Sequence, residues 1–401
     1  MSLYAPTAVE RAMRIQEVIL RATSGEITWM KAAHIIGCSD RTMRRWKTRY
    51  EKHGYDGLLD RRTQRPSPKC VPLQEVGKVL RLYRDRYDGF NVRHYHQKLR
   101  EKHGVNLSYT FVKKALQEAG LVHKTRKRGR HHRRREPKPC FGEMLHIDGS
   151  PHAWLALKPE FVLTLIVVLD DATSRMLYAQ LWPEETTKAI LTALRTVIAE
   201  HGLFMSLYSD RASWAFYTPQ AGKKVSKTVL TQVGRALDRL GIEHIPAYSP
   251  QARGRSERAY LTLQDRLVNE LREAGIDNIE AANRYIREVY CPDHNRNFGR
   301  QPNDPTNCFV STHGAVLDDI LCIEEDRTVS SDNTVQAGKK FLQIDKQRDR
   351  ATCKGLKVTL REHLDGTYSV TRGVKVLGRF DTQGRPLGKP ASRSGKHHRA
   401  A

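Results

Sequence analysis

Paired cysteines and long apolar runs are both missing from this chain of 401 residues. The seven cysteines are scattered, odd in number and without a C-x-x-C pair, which excludes a disulfide framework and a common zinc module. No apolar run approaches the roughly 20 residues of a bilayer-spanning helix, and charges interrupt the region where a signal peptide would need an apolar core. We therefore expect reduced thiols, no membrane partner and a cytoplasmic protein.

Acidic residues are also scarce, because 44 Asp and Glu face 69 Lys and Arg, a formal net charge of +25. Such an excess indicates nucleic acid or another polyanion as the partner, and a membrane surface is the alternative. The length predicts about two to four domains, since one domain usually spans about 100 to 200 residues.

The N-terminal residues 8–62 have the pattern of a helix-turn-helix. Thr28 can cap a first helix, Gly37 can make the turn, and Ser39 or Asp40 can cap a second helix. An ordinary basic hairpin of helices is the alternative, because a glycine turn is a weak signal. In the helix-turn-helix interpretation the second helix enters the major groove with the basic side chains Arg41, Arg44, Arg45 and Lys47.

Residues 70–122 predict a second helix-turn-helix module after a linker rich in proline. Its helices should cover about Leu73–Tyr87, Val92–His103 and Ser108–Ala119, with "HGVNLS" as the turn between the last two and Ser108 as the cap of the last helix. All-α tandem modules of this kind would bind a longer DNA site than either module alone.

The segment 123–139 is a basic linker. It carries nine Lys or Arg between Lys124 and Lys138 against one acid, so it cannot form a core and should contact DNA phosphates. A merely solvated segment is the alternative. The predicted phosphate contacts are Arg126, Lys127, Arg128, Arg130, Arg133, Arg134 and Arg135.

Beyond the linker the pattern changes to strands and helices. Residues 140–300 contain three apolar strands followed by alternating helices and strands, which predicts an α/β domain with a mixed five-stranded sheet. A helical connector should follow at 301–325 and a small β-barrel at 326–385, where Asp365-Gly366 marks a hairpin. The last residues, 386–401, are predicted to be disordered.

Three acids occupy informative places in the α/β domain: Asp148 at the end of the first strand, Asp210 after the fourth, and Glu257 on the last helix. Strand ends and the helix that packs over them form a crevice, and converging carboxylates need cations to offset their repulsion. Oxygen ligands suit two ions of Mg²⁺ or Mn²⁺, which can activate one oxygen and stabilise another in phosphoryl transfer. Arg253 and Arg255 beside Glu257 should contact DNA phosphates.

The stretches "HIDGSPHAWL", "LYSDRASWAF" and "SPQARGRSERAYLTLQDRL" resemble the integrase-core DDE transposases of bacterial insertion sequences, especially the type grouped as ISNCY. The resemblance spans roughly residues 10–325 and implies an RNase H-like fold related to retroviral integrases. The N-terminus departs from integrases because no His-x-x-x-His with a following C-x-x-C occurs, so no structural zinc is expected.

The resemblance also implies roles. Asp148 would bridge two metal ions, Asp210 would bind one and Glu257 the other, while water and then a 3′-hydroxyl attack DNA phosphates. It implies binding of double-stranded DNA at the terminal inverted repeats of a transposon, transfer of the ends to target DNA, and a homo-oligomer on DNA. By the same resemblance the protein would be bacterial and nucleoid-associated. The alternatives are a nuclease that cuts without joining and a catalytically inactive DNA-binding repressor.

Other titratable side chains near these motifs have ordinary interpretations. Asp170 and Asp171 follow a strand and are expected to bond within the turn rather than to a metal. His146 shares a strand face with Asp148 and could be either structural or part of the site. Glu270 and Glu273, farther along the last helix, are expected to be solvated.

Overall fold

The computed structural model describes residues 6–60, 70–124, 136–219, 225–226, 228–248, 254–312 and 316–387. The chain divides into two compact units, Met1–Lys78 and Val79–Ala401. Among the described helices none combines the length and the apolar character that crossing a membrane requires.

The first unit contains a three-helix module: α1 (Pro6–Thr23), α2 (Trp29–Ile36) and α3 (Asp40–His53), followed by a 3-10 turn (Gly54–Leu58). Thr28 caps α2 by accepting from the backbone N–H of Lys31, and Ser39 caps α3 by accepting from that of Thr42. Gly37 joins the two helices with a φ of 73°, a left-handed conformation that favours glycine. The predicted helix-turn-helix geometry is therefore confirmed, and it closes over a core that includes Met43.

A second three-helix module consists of α4 (Leu73–Arg86), α5 (Val92–His103) and α6 (Tyr109–Glu118). Tyrosines fill much of its core, and the hydroxyl of Tyr95 donates to the carbonyl of Val79 at 2.6 Å. Gly104 ends α5 in a left-handed conformation and Ser108 caps α6. As in the first module, the turn begins at a left-handed glycine and ends at a capping serine, but it is longer, running from Gly104 to Ser108 rather than from Gly37 to Ser39.

The α/β domain follows. Its strands are β1 (Cys140–Phe141), β2 (Met144–His152), β3 (Leu163–Asp170), β4 (Met176–Trp182), β5 (Ser206–Ser209), β6 (Glu243–Pro246) and β7 (Asp304–Asn307). Its helices are α7 (Thr187–His201), α8 (Gln232–Arg239), α9 (Gly254–Glu273), α10 (Ile279–Tyr285), α11 (Cys291–Phe298) and α12 (Leu317–Ile320), with a π-helical segment (Ile286–Tyr290) between α10 and α11.

Five of these strands form one mixed sheet in the order β4-β3-β2-β5-β6. The first three strands are antiparallel neighbours, whereas β2, β5 and β6 run parallel. One face packs on α7 and α8, and the other packs on α9 and α10. Both predictions, the mixed five-stranded sheet and helices on its faces, are confirmed.

The edge strand β4 is protected by two asparagine side chains. Asn295 donates to the carbonyl of Met176 at 2.8 Å and accepts from its N–H at 2.7 Å, and Asn283 makes the same pair of bonds to Leu181. The side-chain amides thus stand in for a sixth strand at both ends of β4, which limits edge-to-edge pairing with another chain.

The C-terminal strands are β8 (Ile323–Thr328), β9 (Thr334–Ala337), β10 (Lys340–Gln343), β11 (Lys357–Glu362), β12 (Tyr368–Arg372) and β13 (Lys375–Phe380). They form an antiparallel sheet in the order β13-β12-β11-β8 and a separate hairpin of β9 and β10. A closed barrel is therefore not confirmed. Asp365-Gly366 does make the predicted turn, with Gly366 at a φ of 85°.

The segment expected as a helical connector is mostly not helical. It holds β7, which pairs with β1 in parallel, and the single short helix α12, and β8 already begins at Ile323. The polar sequence "NDPTN" extends because Pro305 cannot continue a helix and its predecessor favours extended backbone.

Candidate active site

Strand register brings two of the three predicted acids to one level. The parallel neighbours β2 and β5 pair His146 with Tyr208, and continuing this register places Asp148 level with Asp210, the residue after β5. The prediction that Asp148 ends its strand is wrong, because β2 continues to His152 along β3 and Asp148 lies in its middle. Neighbouring strands are about 4.8 Å apart, and residues two apart share a face. The rings of His146 and Tyr208 lie 5.1 Å apart, which shows that both strands present this set of residues to the same side.

That side is the one covered by α9. Asp148 lies opposite Val167 on β3, and Val167 packs in the core beneath α9. The hydroxyl of Tyr260 on α9 donates to the backbone carbonyl of Asp148 and, at 3.3 Å, to that of Leu165. Since Tyr260 is three residues after Glu257, the helix that carries the third acid is fastened beside the first.

Carboxylates are the kind of ligand that a divalent cation prefers, but among the described residues these three acids are not arranged to surround one. Asp148 Oδ1 accepts from the N–H of Gly149 at 3.1 Å, and Asp210 Oδ1 accepts from that of Ala212 at 3.0 Å. Both carboxylates are partly exposed and Glu257 is exposed. Within the described part of the chain, no three His, Cys, Asp or Glu side chains are arranged to hold a metal ion. Hard carboxylate oxygens at one sheet end nevertheless match the preference of Mg²⁺.

Glu185, between β4 and α7, is a further acid beside β2 that the sequence did not indicate, and it lies on the side of the sheet that packs on α7. A Cβ added to Gly149 would lie 2.8 to 2.9 Å from the carboxyl atoms of Glu185, so this carboxylate rests directly against the residue after Asp148. Trp214 Nε1 donates to Glu185 Oε1 at 2.8 Å and holds it there. The glycine that follows Asp148 in "HIDGS" was the available signal, because glycine often marks a close approach.

Asp170 bonds within its turn, as expected, whereas Asp171 bonds to residues outside the turn. Asp170 is buried and accepts from the N–H groups of Gly142 and Thr173 at 3.0 and 2.8 Å, while burial raises its pKa. Asp171 accepts from His146 Nε2 at 2.7 Å. This buried bond decides the open question about His146, which is a hydrogen-bonded structural residue.

The expectation that Glu270 and Glu273 are solvated is wrong. Glu270 is 6% exposed, and the side chain of Glu273 is 4% exposed. Both face the second helical module, whose basic residues Lys98 and Lys102 pair with them at 2.9 Å. The sequence pattern failed here because the partners lie more than 170 positions away.

The candidate DNA-binding residues of α3 are on the surface. Arg41, Arg44 and Arg45 are exposed, and Arg44 forms an ion pair with Asp40 at 2.8 Å. Lys47 is half-buried and lies 4.9 Å over the ring of Trp29, so part of its role is to fasten α3 to α2.

The remaining candidates lie outside what the structure describes. Arg253 and the linker residues fall in undescribed segments, and Arg255 belongs to α9 with a side chain that is not described. Those linker residues are Arg126, Lys127, Arg128, Arg130, Arg133, Arg134 and Arg135.

Two family models match the helical modules. A helix-turn-helix domain matches residues 16–67, and a homeodomain-like domain matches residues 42–116. The second match extends from the first module into α6 of the second module.

Two relatives match most of the chain. A Sinorhizobium fredii protein named "Putative transposase y4bF" is 29% identical over 363 residues, covering 90% of this chain and 79% of that protein. The Streptococcus pneumoniae protein named "Transposase for insertion sequence IS1202" is 28% identical over 319 residues, covering 71% of this chain and 68% of that protein. This chain therefore resembles transposases of bacterial insertion sequences along most of its length.

Solved retroviral integrases overlap more loosely. The simian T-cell lymphotropic virus intasome, in complex with PP2A regulatory subunit B56 gamma, has 12% identity and a TM-score of 0.32, covering 68% of this chain and 91% of that chain. The HTLV-2 integrase catalytic core domain in complex with magnesium (trimeric form) has 13% identity and a TM-score of 0.27, covering 37% and 85%. Neither overlap carries residue roles from one protein to the other.

Proposed function

We propose that this protein is a DNA transposase that binds the terminal inverted repeats of a mobile element, cuts at them and joins the ends to target DNA. One observation supports this most: β2 and β5 pair in parallel, and their register, continued by two residues, brings Asp148 and Asp210 together on the side of the sheet covered by α9, the helix that carries Glu257. The similarity to two named transposases over most of the chain gives this carboxylate arrangement its chemical context.

Asp148, Asp210 and Glu257 would hold two ions of Mg²⁺ or Mn²⁺. When bound, the ions supply Lewis-acid stabilisation of the attacking and leaving oxygens of a phosphodiester. The chain's own contribution is placement: the sheet fixes the two aspartates, and the bond from Tyr260 to the backbone of Asp148 holds α9 beside them. Glu257 then has to turn inward from its exposed position.

We also propose where DNA is held. Arg41 and Arg45 lie exposed on α3, the second helix of a helix-turn-helix, and would enter the major groove. The basic linker, Arg253 and Arg255 would contact backbone phosphates nearer the cleavage site. Copies of the chain would assemble on DNA because two ends have to be held together during joining.

A strand-transfer assay tests the proposal. The full chain is incubated with a labelled, pre-cleaved element end, a target plasmid and Mg²⁺ or Mn²⁺, beside the variants Asp210→Asn and Asp238→Asn. The second variant makes the same change at an exposed residue of α8 and is the matched control. We expect joined products from wild type and Asp238→Asn, and a loss beyond about 100-fold in Asp210→Asn, since even outer-shell partners contribute about 10- to 100-fold.

The other outcomes separate the alternatives. Cleavage of an uncut end without joined products would identify a nuclease. Specific binding of the end, with neither reaction and with no difference between wild type and Asp210→Asn, would identify a DNA-binding repressor.

A further inference from the structure

Helix α9 is held from both ends. Near its N-terminus Tyr260 bonds to β2, and in its C-terminal half the second helical module packs against it. We call this second interface the α9 dock, formed by residues 86–102 of the module and residues 265–273 of α9. Its contacts include Arg272 to the carbonyl of Asp88 and Asn91 to Asp265.

Two glutamates of α9 form the centre of the dock. Glu270 accepts from His94 Nε2 at 2.8 Å, from Lys98 Nζ at 2.9 Å and from the Tyr285 hydroxyl at 2.8 Å. Glu273 pairs with Arg86 Nη2 at 2.7 Å and accepts from Lys102 Nζ at 2.9 Å. Every carboxylate oxygen of the two side chains therefore has a partner.

The charged groups at the centre of the dock are almost completely shielded from solvent. His94 is fully buried, Lys98 is 4% exposed and Glu270 is 6% exposed. Burial alone would raise the pKa of Glu270, but the bond from His94 and the charge of Lys98 lower it to about 2. A different placement of α5 against α9 would leave buried charged groups without their partners, which is strongly destabilising.

The dock also determines which face of the module is free. Because α5 turns His94, Lys98 and Lys102 toward α9, the exposed basic side chains Lys113 and Lys114 of α6 remain on the surface. Helix α6 follows α5 across the turn at Gly104, so it has the position of the second helix of a helix-turn-helix. The charge of its exposed lysines is complementary to the phosphates of duplex DNA.

We propose that Glu270 and Glu273 are positioning residues that join the second helical module to α9, so that DNA held on α6 and the carboxylate of Glu257 move as one body. Helix α9 rises about 1.5 Å per residue and therefore spans about 20 Å from Glu257 to Glu270. A rigid connection of this kind fixes which phosphodiester reaches the acids. The inference rests on the proposed transposase function and adds a positioning mechanism to it.

The test uses the full chain with Glu273→Lys, which sets a third cation against Arg86 and Lys102. Lys102→Glu is then added to Glu273→Lys to restore one ion pair with reversed polarity. Glu280→Lys makes the same charge change at an exposed residue of α10 and is the matched control. Three quantities are measured: binding of the element end, the single-turnover rate at saturating DNA, and the position of the cut at nucleotide resolution.

We expect wild type and Glu280→Lys to cut at one position. Glu273→Lys should keep end binding through the first module, lose rate on the order of tenfold to a hundredfold, and spread its cuts over neighbouring phosphodiesters, because misplacement by about 1 Å can have such an effect. The swapped pair should recover both the rate and the single position.

Two results would overturn the inference alone. One is unchanged rate and cut position in Glu273→Lys. The other is a lower rate at an unchanged single position that the swapped pair does not recover, which is the behaviour of a merely structural ion pair. A wild type that neither cuts nor joins under either metal overturns the proposed function instead, and the inference with it.

Discussion

The two helical modules are built alike but use their basic residues differently. In each, a serine caps the helix after the turn and a left-handed glycine makes the turn, with a φ of 73° at Gly37 and 63° at Gly104. In the first module the basic residues of α3 stay at the surface, where Arg44 pairs with Asp40 in contact with solvent. In the second, α5 buries Lys98 against a carboxylate of another domain.

This difference shows that local sequence signals specify a module without specifying what its charged face contacts. Exposed ion pairs contribute about 0 to 1 kcal/mol and leave their arginines available to phosphates. In a buried pair neither partner is available to DNA, because removing either one leaves an unpaired charge in a poorly solvated place. The first module therefore keeps its basic residues available to DNA, whereas the second module uses part of its basic surface to bind α9.

The largest effect that would test this contrast is on stability. Glu270→Ala should lower the free energy of unfolding by about 3 to 5 kcal/mol, because it leaves Lys98 and His94 buried without their carboxylate. Glu51→Gln, which removes an exposed ion pair with Lys47 at 3.7 Å, should change it by less than about 1 kcal/mol. Urea unfolding of the full chain, followed by hydrogen exchange in each module, measures both changes.

Equal effects of the two substitutions would remove the contrast. A small effect of Glu270→Ala would mean that water or a rearranged side chain satisfies Lys98, and α5 and α9 would then not be held in one arrangement.

As the pH falls, the second module should also lose stability at a higher pH than the first module. Burial lowers the pKa of His94 below 6.5, so the unfolded chain takes up a proton there that the folded chain does not, and stability falls as the pH drops below about 6.5. The lowered pKa of Glu270, about 2, contributes up to about 3 kcal/mol that is present above pH 4.5 and is lost toward pH 2. Both groups act in the same direction.

Hydrogen exchange between pH 7.5 and 4, corrected for intrinsic rates, checks this expectation. Protection of α5 should fall with pH while that of α2 and α3 changes less, since His34 and His53 of the first module are exposed. His94→Gln keeps a donor for Glu270 but cannot titrate, so it should flatten the decline between pH 6.5 and 5. A decline of equal size in that variant would assign the effect to other groups.

What the sequence could and could not predict follows the same division. Thr28, Ser39 and Ser108 were identified as caps because capping is decided within three residues. Asp148 and Asp210 were identified because each belongs to or follows an apolar run with the pattern of a strand, although β2 continues past Asp148. Contacts across the chain, such as those of Glu185 with Gly149 and of Glu270 with His94, leave no periodic signal.

Substituting the exposed basic residues of each module should show whether the two modules bind DNA in different ways. Lys113→Ala combined with Lys114→Ala should reduce the slope of log affinity against log salt by about 2, because each phosphate contact contributes about 0.9. Arg41→Ala combined with Arg45→Ala in the first module should weaken binding to the element end and also relax its specificity, because these side chains should contact bases. Titrations with specific and unrelated duplexes at several salt concentrations distinguish the two results.

A pure loss of specificity from the α6 variant would reverse the roles assigned to the two modules. Lys158→Ala, at an exposed ion pair with Asp277, is the control and should leave the slope unchanged if that surface lies away from DNA.

The smallest expected effect comes from a matched pair of substitutions, one at the capping serine of each module. Ser39 and Ser108 each accept from a backbone N–H three residues later at 3.3 Å, at the start of α3 and α6 respectively. Each serine-to-alanine substitution should reduce the protection of its own helix by about 1 kcal/mol, because capping is a local interaction that does not depend on what the module contacts. A much larger effect of Ser108→Ala, extending to α5 and α9 in hydrogen exchange, would mean that α6 also supports the α9 dock, and the second module would then unfold together with α9 as one cooperative unit.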